Sequence, residues 1–153
     1  LWVYLSYVAG MVAVTSKHSS ELTITEYIFC FFGFLVWLAG FIIEVVADNQ
    51  KKKFKEDLNN KDKFISHGLW AWSRHPNYFG EILLWIGITI IAIPIFKNWD
   101  YLALISPIFI YYLLVNVSGI PMLEKAADQK WGNNEDYISY KDKTNILFLK
   151  KPD

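Results

Sequence analysis

Nine consecutive residues, Ser73–Glu81, carry a high density of side chains that could bind an anion. Their sequence is Ser-Arg-His-Pro-Asn-Tyr-Phe-Gly-Glu. A proline at a helix start wastes no amide, and the free amides of the first helical turn favour a negatively charged group. Arg74 beside them would add a bidentate contact to a phosphate. The segment therefore predicts a site for a phosphate-bearing ligand at the start of a helix.

Three carboxylates lie inside or next to apolar segments, where an ionised group is costly. Glu44 and Glu81 interrupt such segments, and Glu124 follows a third. An intramembrane carboxylate costs about 2.5 to 3.5 kcal/mol even on a permissive scale, so each one is a functional hypothesis. Glu44 and Asp48 share a helix face, as do Asn77 and Glu81. The alternative is that these groups reach the lipid headgroups beside lysine partners.

The elements that must position these groups are membrane helices. The chain has 153 residues, 54% of them hydrophobic. Four uncharged windows approach or exceed the roughly 20 apolar residues that a spanning helix needs; they are Leu1–Ser16, Tyr27–Ile43, Ile82–Phe96 and Tyr101–Leu123. Runs this long and without alternation predict helices rather than barrel strands. We expect an all-α integral membrane bundle of about four spanning helices in a single membrane domain, truncated in its first helix and derived from a longer protein.

Lysine and arginine predict the orientation of this bundle. Four spans place the loop Asp48–Pro76 and the tail that follows Leu123 on one side, and 13 of the 15 basic residues fall there. Only Lys17 and Lys97 fall on the other side. The positive-inside rule then predicts that the loop and the tail face the cytoplasm or an equivalent inner compartment, with the organelle undetermined.

Other classes of function are disfavoured by charge and composition. The formal net charge is zero, so no overall basic field attracts nucleic acid. The only cysteine, Cys30, lies in an apolar run, and His67 and His75 have no third ligand nearby in the sequence. We expect neither a disulfide framework nor a metal site.

The polar motifs together resemble a known membrane-protein family. They run from Asp48-x-Gln50 through Gly68-Leu69-Trp70 and the nine-residue segment to Ser118-Gly119-Ile120-Pro121, Glu124 and Tyr137-x2-Tyr140-x3-Thr144. This pattern resembles the steroid 5-alpha-reductase superfamily, and most closely its DUF1295 branch.

The resemblance implies a multi-span reductase that uses NADPH to reduce a carbon–carbon double bond conjugated to a ketone in a sterol-like or other lipid. It implies that the catalytic acid and phenol belong to N-terminal helices that precede this sequence. The resemblance and the anion-binding argument together give the candidate cofactor-binding residues: Asp48, Lys55, Lys63, Arg74, Asn77, Tyr78, Glu81, Glu124 and Tyr140.

Two alternatives remain open. Membrane methyltransferases that use S-adenosylmethionine share the Arg-His-Pro-x-Tyr residues and a similar tail. A non-catalytic subunit of a membrane complex is favoured by Ala71 and Asn116, because relatives commonly carry arginine at both positions.

Overall fold

The structure, a computed structural model, describes residues 23–151, and these contain helices and no strand. Three helical segments are long and apolar enough to cross a membrane; they are Ile24–Glu56, Pro76–Ile95 and Asn98–Trp131. They confirm the predicted all-α membrane fold. The predicted first span, Leu1–Ser16, lies outside the described residues.

Helix α1 (Ile24–Glu56) begins at a capping box and carries an apolar surface. The Thr23 amide donates to Glu26 Oε2 at 2.6 Å, and the Glu26 amide donates to Thr23 Oγ1 at 3.3 Å. These reciprocal bonds satisfy two amides that have no partner within the helix. Phe31 is 60% exposed and Phe32 57% exposed, as suits side chains that face lipid.

Helix α1 also continues further than the sequence analysis predicted. The loop predicted to begin at Asp48 begins only after Glu56, so residues 48–56 form two more helical turns. Gln, Lys and Glu are good helix formers, and Lys52 pairs with Glu56 one turn later at 3.9 Å. Asn60 Nδ2 then donates to the Phe54 carbonyl at 3.1 Å and ends the helix.

Helix α2 (Pro76–Ala92) starts at the predicted proline and ends before Pro94. Proline cannot donate an amide hydrogen bond, and the chain tightens into a 3₁₀ turn at Ile93–Ile95. Glycines allow α1 and α2 to approach closely. A Cβ at Gly33 would lie 2.9 Å from the Gly87 carbonyl oxygen, and one at Gly87 would overlap the Trp37 backbone.

The last spanning segment is interrupted by a π-turn. It comprises a 3₁₀ stretch at Asn98–Leu104, helix α3 (Ile105–Tyr112), the π-turn Leu113–Val117 and helix α4 (Ile120–Trp131). Gly119 separates the π-turn from α4, and a Cβ there would lie 2.5 Å from the Leu114 carbonyl oxygen. Only glycine fits this close approach without displacing the backbone.

A short helix, α5 (Glu135–Lys143), and an extended tail complete the chain. The Asn134 side chain caps α5 by accepting from the Tyr137 amide at 3.1 Å. Acidic residues occupy the first turn and lysines the last, which complements the helix dipole.

The described chain forms two compact units. The first contains residues 23–41 with Ile82–Leu113, and its buried cluster is Ala92, Phe96 and Ala103. The second contains Ile42–Glu81 with residues 114–151 and holds every candidate site residue.

Candidate functional site

The nine-residue segment Ser73–Glu81 is held at its start by the C-terminal tail. The Arg74 amide donates to the Asn145 carbonyl at 2.8 Å, and Ser73 Oγ donates to the Leu147 carbonyl at 2.8 Å. The Lys150 amide donates to the Trp72 carbonyl at 3.1 Å. Ser73 is completely buried. The C-terminal tail, which is distant in the sequence, therefore fixes the backbone at Arg74.

Ser73 also organises the start of α2. Its Oγ accepts a hydrogen bond from the His75 amide at 3.1 Å, while its hydroxyl donates to the tail. Pro76 follows as the first residue of the helix and is fully buried. Since proline fixes φ near the helical value, the segment enters α2 without a flexible joint.

Arg74, His75 and Glu124 form a charged cluster. Arg74 Nη1 lies 2.9 Å from one Glu124 oxygen and His75 Nε2 lies 2.8 Å from the other. Lys141 Nζ is 3.5 Å from the same carboxylate. Lys141 also pairs with Asp128 at 2.6 Å, so the two cations Arg74 and Lys141 balance the two carboxylates Glu124 and Asp128.

The Arg74 guanidinium retains hydrogen-bonding capacity. Its Nε and Nη1 are buried, and neither has a hydrogen-bond partner among residues 23–151, because Nη1 is near Glu124 without hydrogen-bond geometry. A buried donor without a partner costs free energy that an acceptor would recover. Phosphate oxygens are acceptors that suit a guanidinium.

These groups border a cavity of about 440 Å³. This volume lies in the usual range for small-molecule sites. The wall is formed by the end of α1, the loop at Asn60–Ile65, the start of the nine-residue segment, α4 and α5. Its charged side chains are Lys51, Lys55, Lys61, Asp62, Lys63, Arg74, Glu124 and Lys130, and its aromatic ones are Phe54, Phe64, Trp70, Trp131, Tyr137 and Tyr140.

Four of the cavity lysines have no carboxylate partner among residues 23–151; they are Lys51, Lys55, Lys61 and Lys63. Within the described part of the chain, no carboxylate lies within ion-pair distance of Lys55 or Lys63. Lys130, by contrast, pairs with Asp62 at 2.9 Å. Lys55, Lys63 and Arg74, the three cations that the sequence predicts for the site, are thus able to hold a phosphate.

The tyrosines of α5 are neutral hydrogen-bond donors. Tyr140 donates to the Trp70 carbonyl at 2.7 Å, and Tyr137 donates to Asp128 Oδ1 at 3.1 Å. Burial raises the pKa of the Tyr140 hydroxyl above its ordinary value. Burial, followed by the bond to Asp128, raises the pKa of Tyr137 from 10.0 to about 12. Both hydroxyls therefore remain protonated at neutral pH.

The structure divides the nine predicted site residues into two groups. Five of them line the cavity: Lys55, Lys63, Arg74, Glu124 and Tyr140. The other four, Asp48, Asn77, Tyr78 and Glu81, are not part of its wall.

The second group is joined by its own contacts. Asn77 Nδ2 donates to Asp48 Oδ1 at 3.1 Å, which links α2 to the end of α1. The ring of Tyr78 stacks on His75 with a centroid separation of 5.7 Å. Because His75 lines the cavity, Tyr78 connects the two groups.

Gln50 holds the Gly68–Leu69 turn, which is another part of the family motif. The Gln50 Oε1 accepts a hydrogen bond from the Leu69 amide at 3.0 Å. Gly68 has a φ of +64°, and a Cβ at this residue would lie 2.6 Å from the Gln50 side chain. The adjoining Trp70 donates from Nε1 to the Ala47 carbonyl at 3.0 Å. The turn that precedes Ser73 is thereby fixed to α1.

Sequence reasoning missed several residues of the cavity. His75 was considered as part of the anion-binding segment and Trp70 as part of the family motif, but neither was named as a cofactor-binding residue. Lys51 lies 4.9 Å from the Trp70 ring centroid. Trp131 and Phe64 were not singled out at all, and their rings lie 6.0 Å apart. The available signal was the recurrence of aromatic residues in the loop and in the tail.

The two departures from the family pattern lie outside this cavity. Ala71 belongs to the 3₁₀ turn at Gly68–Ala71, and Asn116 belongs to the π-turn. Neither residue is part of the cavity wall.

Comparison with known proteins relates the chain to one protein family and to several enzymes. The family described as "Protein of unknown function (DUF1295)" matches residues 1–144. A probable O-methyltransferase of Ustilaginoidea virens is 29% identical over 101 residues, which cover 61% of this chain and 35% of that protein.

Two reductase-type relatives match shorter stretches. The 3-oxo-5-alpha-steroid 4-dehydrogenase 1 of Macaca fascicularis is 34% identical over 55 residues, which cover 36% of this chain and 21% of that protein. A probable 7-dehydrocholesterol reductase of Acanthamoeba polyphaga mimivirus is 34% identical over 67 residues, with coverages of 33% and 15%. The matched region is thus at most 35% of the length of these three relatives. No solved structure matches the chain.

Proposed function

The chain belongs to the DUF1295 family within the steroid 5-alpha-reductase superfamily, and on this premise we propose that it is the cofactor-binding part of an NADPH-dependent membrane reductase. Its substrate would be a sterol-like or other lipid with a carbon–carbon double bond conjugated to a ketone. The whole protein would include the N-terminal helices that supply the catalytic acid and phenol.

The observation that carries this proposal is the cavity wall, in which six cationic side chains face two carboxylates. The buried Arg74 donors have no hydrogen-bond partner among the described residues, and Lys55 and Lys63 have no carboxylate within ion-pair distance. A dinucleotide with several phosphate charges would satisfy all three groups. The residues present therefore fit NADPH.

Each group of residues has a role in this proposal. Arg74, Lys55 and Lys63 bind phosphate oxygens, while Phe64 and Trp131 provide flat apolar surfaces and exclude water. Asn77 donates to Asp48 at 3.1 Å and lies outside the cavity wall, so its contact with the cofactor stays a prediction. When bound, NADPH supplies the hydride, so the protein contributes position, charge and a dry surface.

The length of α1 favours a cavity at the water-facing side. The uncharged part of α1 ends at Ile43, and residues 48–56 extend the helix by about 13 Å at 1.5 Å per residue. Lys51 and Lys55 lie on this extension and line the cavity. A highly charged cofactor could therefore bind outside the hydrocarbon layer.

The proposal can be tested with the full-length protein in lipid nanodiscs. We expect calorimetry to detect NADPH binding, and we expect Arg74→Gln to raise the Kd roughly 10- to 100-fold, because a charge-assisted contact contributes about 1.5 to 3 kcal/mol. Lys63→Gln, on the exposed loop, should also weaken binding and should leave the fold unchanged. Lys97→Gln removes a lysine outside the cavity and serves as the control.

Two results would overturn the proposal. An unsubstituted protein that binds no NADPH, or variants at Arg74 and Lys63 that bind it as well as the control does, would remove the enzyme interpretation. The role of accessory subunit in a membrane complex would then be preferred.

A second candidate function is S-adenosylmethionine-dependent methyl transfer. It is favoured by the relative named as a probable O-methyltransferase, whose match covers 61% of this chain. The Glu124 carboxylate and the aromatic wall could bind the ligand's ammonium and sulfonium groups. Tighter binding of S-adenosylmethionine than of NADPH in the same calorimetry would place this function first.

A further inference from the structure

In the loop Asn60–Ile65, Asp62 makes two polar contacts with the end of α4. The geometry points to Asp62 as a positioning residue: fixed to Trp131 and Lys130, it holds Lys61 and Lys63 at the cavity for contact with the phosphates of the cofactor. This inference rests on the proposed function and adds a residue that acts through its neighbours.

Asp62 has an unusual backbone conformation. Its φ is +64°, in the left-handed region that residues other than glycine seldom adopt. Aspartate tolerates this region better than most residues, but surrounding contacts are still needed to maintain the conformation.

Two contacts supply this restraint, one to the backbone and one to the side chain. Trp131 Nε1 donates to the Asp62 carbonyl at 2.7 Å. Lys130 Nζ lies 2.9 Å from Asp62 Oδ1. Because both ends of one residue are held by adjacent residues of α4, rotation of the loop about Asp62 is restricted.

The lysines on either side of Asp62 both line the cavity. Phe64 restrains the far end of the loop, since its ring lies 5.3 Å from that of Tyr137 and 5.4 Å from that of Tyr140. Lys61 and Lys63 thus lie on a short loop segment fixed at Asp62 and at Phe64. Releasing Asp62 would free both ammonium groups from the cavity wall.

The exposure of the ion pair argues against a role in overall stability. The Asp62 side chain is 71% exposed and that of Lys130 is 49% exposed. Ion pairs at such positions contribute little to the stability of a fold. Their loss should therefore affect ligand binding more than unfolding.

The test uses the full-length protein in nanodiscs with NADPH as the probe. We expect Asp62→Ala and Trp131→Phe each to raise the Kd about tenfold and to reduce its dependence on salt concentration, because fewer cations would contact phosphates. The phenylalanine retains a ring against Phe64 and lacks the Nε1 donor. Asparagine tolerates the left-handed conformation and keeps a side-chain oxygen that can accept from Lys130. Asp62→Asn should therefore restore most of the affinity.

A matched control and a second measurement make the result decisive. Asp142→Ala makes the same substitution at an exposed carboxylate outside the cavity wall and should leave the Kd unchanged. Amide hydrogen exchange of residues 57–67 without NADPH should accelerate in Asp62→Ala and Trp131→Phe, while the unfolding temperature stays within the range of the control.

The two proposals fail in different ways. If NADPH binds to the unsubstituted protein and both variants bind it equally well with unchanged salt dependence, the role of Asp62 is overturned and the proposed function stands. If the unsubstituted protein binds no NADPH, the proposed function fails. The exchange rates then decide alone whether Asp62 restrains the loop, and unchanged rates overturn the inference.

Discussion

Tyr137 is a single residue whose ionisation should be visible in the stability of the whole protein. Its ring is 4% exposed, and its hydroxyl donates to Asp128 at 3.1 Å. The folded-state pKa of about 12 exceeds the ordinary value of 10.0, so the folded state favours the protonated hydroxyl. This contribution to stability is fully present below pH 10 and is lost as the pH rises from 10 to about 12.

We therefore expect the free energy of unfolding to fall more steeply with pH in the unsubstituted protein than in Tyr137→Phe over that interval. Reversible denaturant unfolding followed by circular dichroism between pH 9 and pH 12 measures the difference. Lysine titration affects both proteins and cancels in the comparison. Parallel curves for the two proteins would show that the Tyr137 pKa is not raised.

At the scale of residues, the sequence predicted what a side chain could bind better than it predicted which side chains lie together. The motif predicted that Arg74 carries a charge available for a phosphate, and the structure places it in the cavity wall. The same motif could not separate Arg74 from Asn77, although the two residues belong to different groups of contacts. The Arg74 amide and the Ser73 hydroxyl are bound by the tail residues Asn145 and Leu147, whose pairing with the segment has no sequence signature.

At the scale of elements, the contact of α1 with α2 depends on the lack of a side chain at Gly87. A Cβ there would overlap the backbone of Trp37. We expect Gly87→Ala to lower the free energy of unfolding by about 1 to 3 kcal/mol, the usual cost of overpacking. The sign of this change distinguishes a close contact from an open surface, because alanine stabilises an unconstrained helix by about 1 kcal/mol relative to glycine.

Unfolding in detergent provides the measurement, and Ile86→Ala, on the exposed surface of the same helix, provides the control. A stabilised Gly87→Ala variant would mean that the two helices do not approach closely at this position.

Helix starts could be predicted from local chemistry, whereas some helix ends could not. Pro76 marks the first residue of α2 because its ring fixes φ and needs no amide partner. The end of α1 was predicted about two turns too early, because a charged run was interpreted as the end of the helix. Charged residues are excluded from the lipid-facing part of a helix, but they do not disrupt its backbone hydrogen bonds. The helix therefore continues to Glu56, where Asn60 caps its last turn.

At the scale of the whole molecule, the orientation of the chain in the membrane stays a prediction. Residues of the predicted loop and of the tail line one cavity, so the two segments lie together. In a background with Cys30→Ser, we expect Lys55→Cys and Lys143→Cys to react with a membrane-impermeant maleimide from the same side. Lys97→Cys should react from the opposite side, since one spanning helix separates it from the loop.

Sealed vesicles of known orientation, labelled before and after permeabilisation, make the comparison. Reaction of the Lys55 and Lys143 positions from opposite sides would contradict the predicted topology.

The composition of the cavity wall also has a consequence for biosynthesis. Lys63 and Tyr140 lie in the same wall, although about 80 residues separate them in the chain. At roughly 5 to 20 residues per second, a ribosome needs about 4 to 16 seconds to translate that interval. During this time the lysine-bearing loop has been synthesised and α5, including Tyr140, has not. The cavity can therefore assemble only after Tyr140 has been translated, and thus after the described spanning segments have been made.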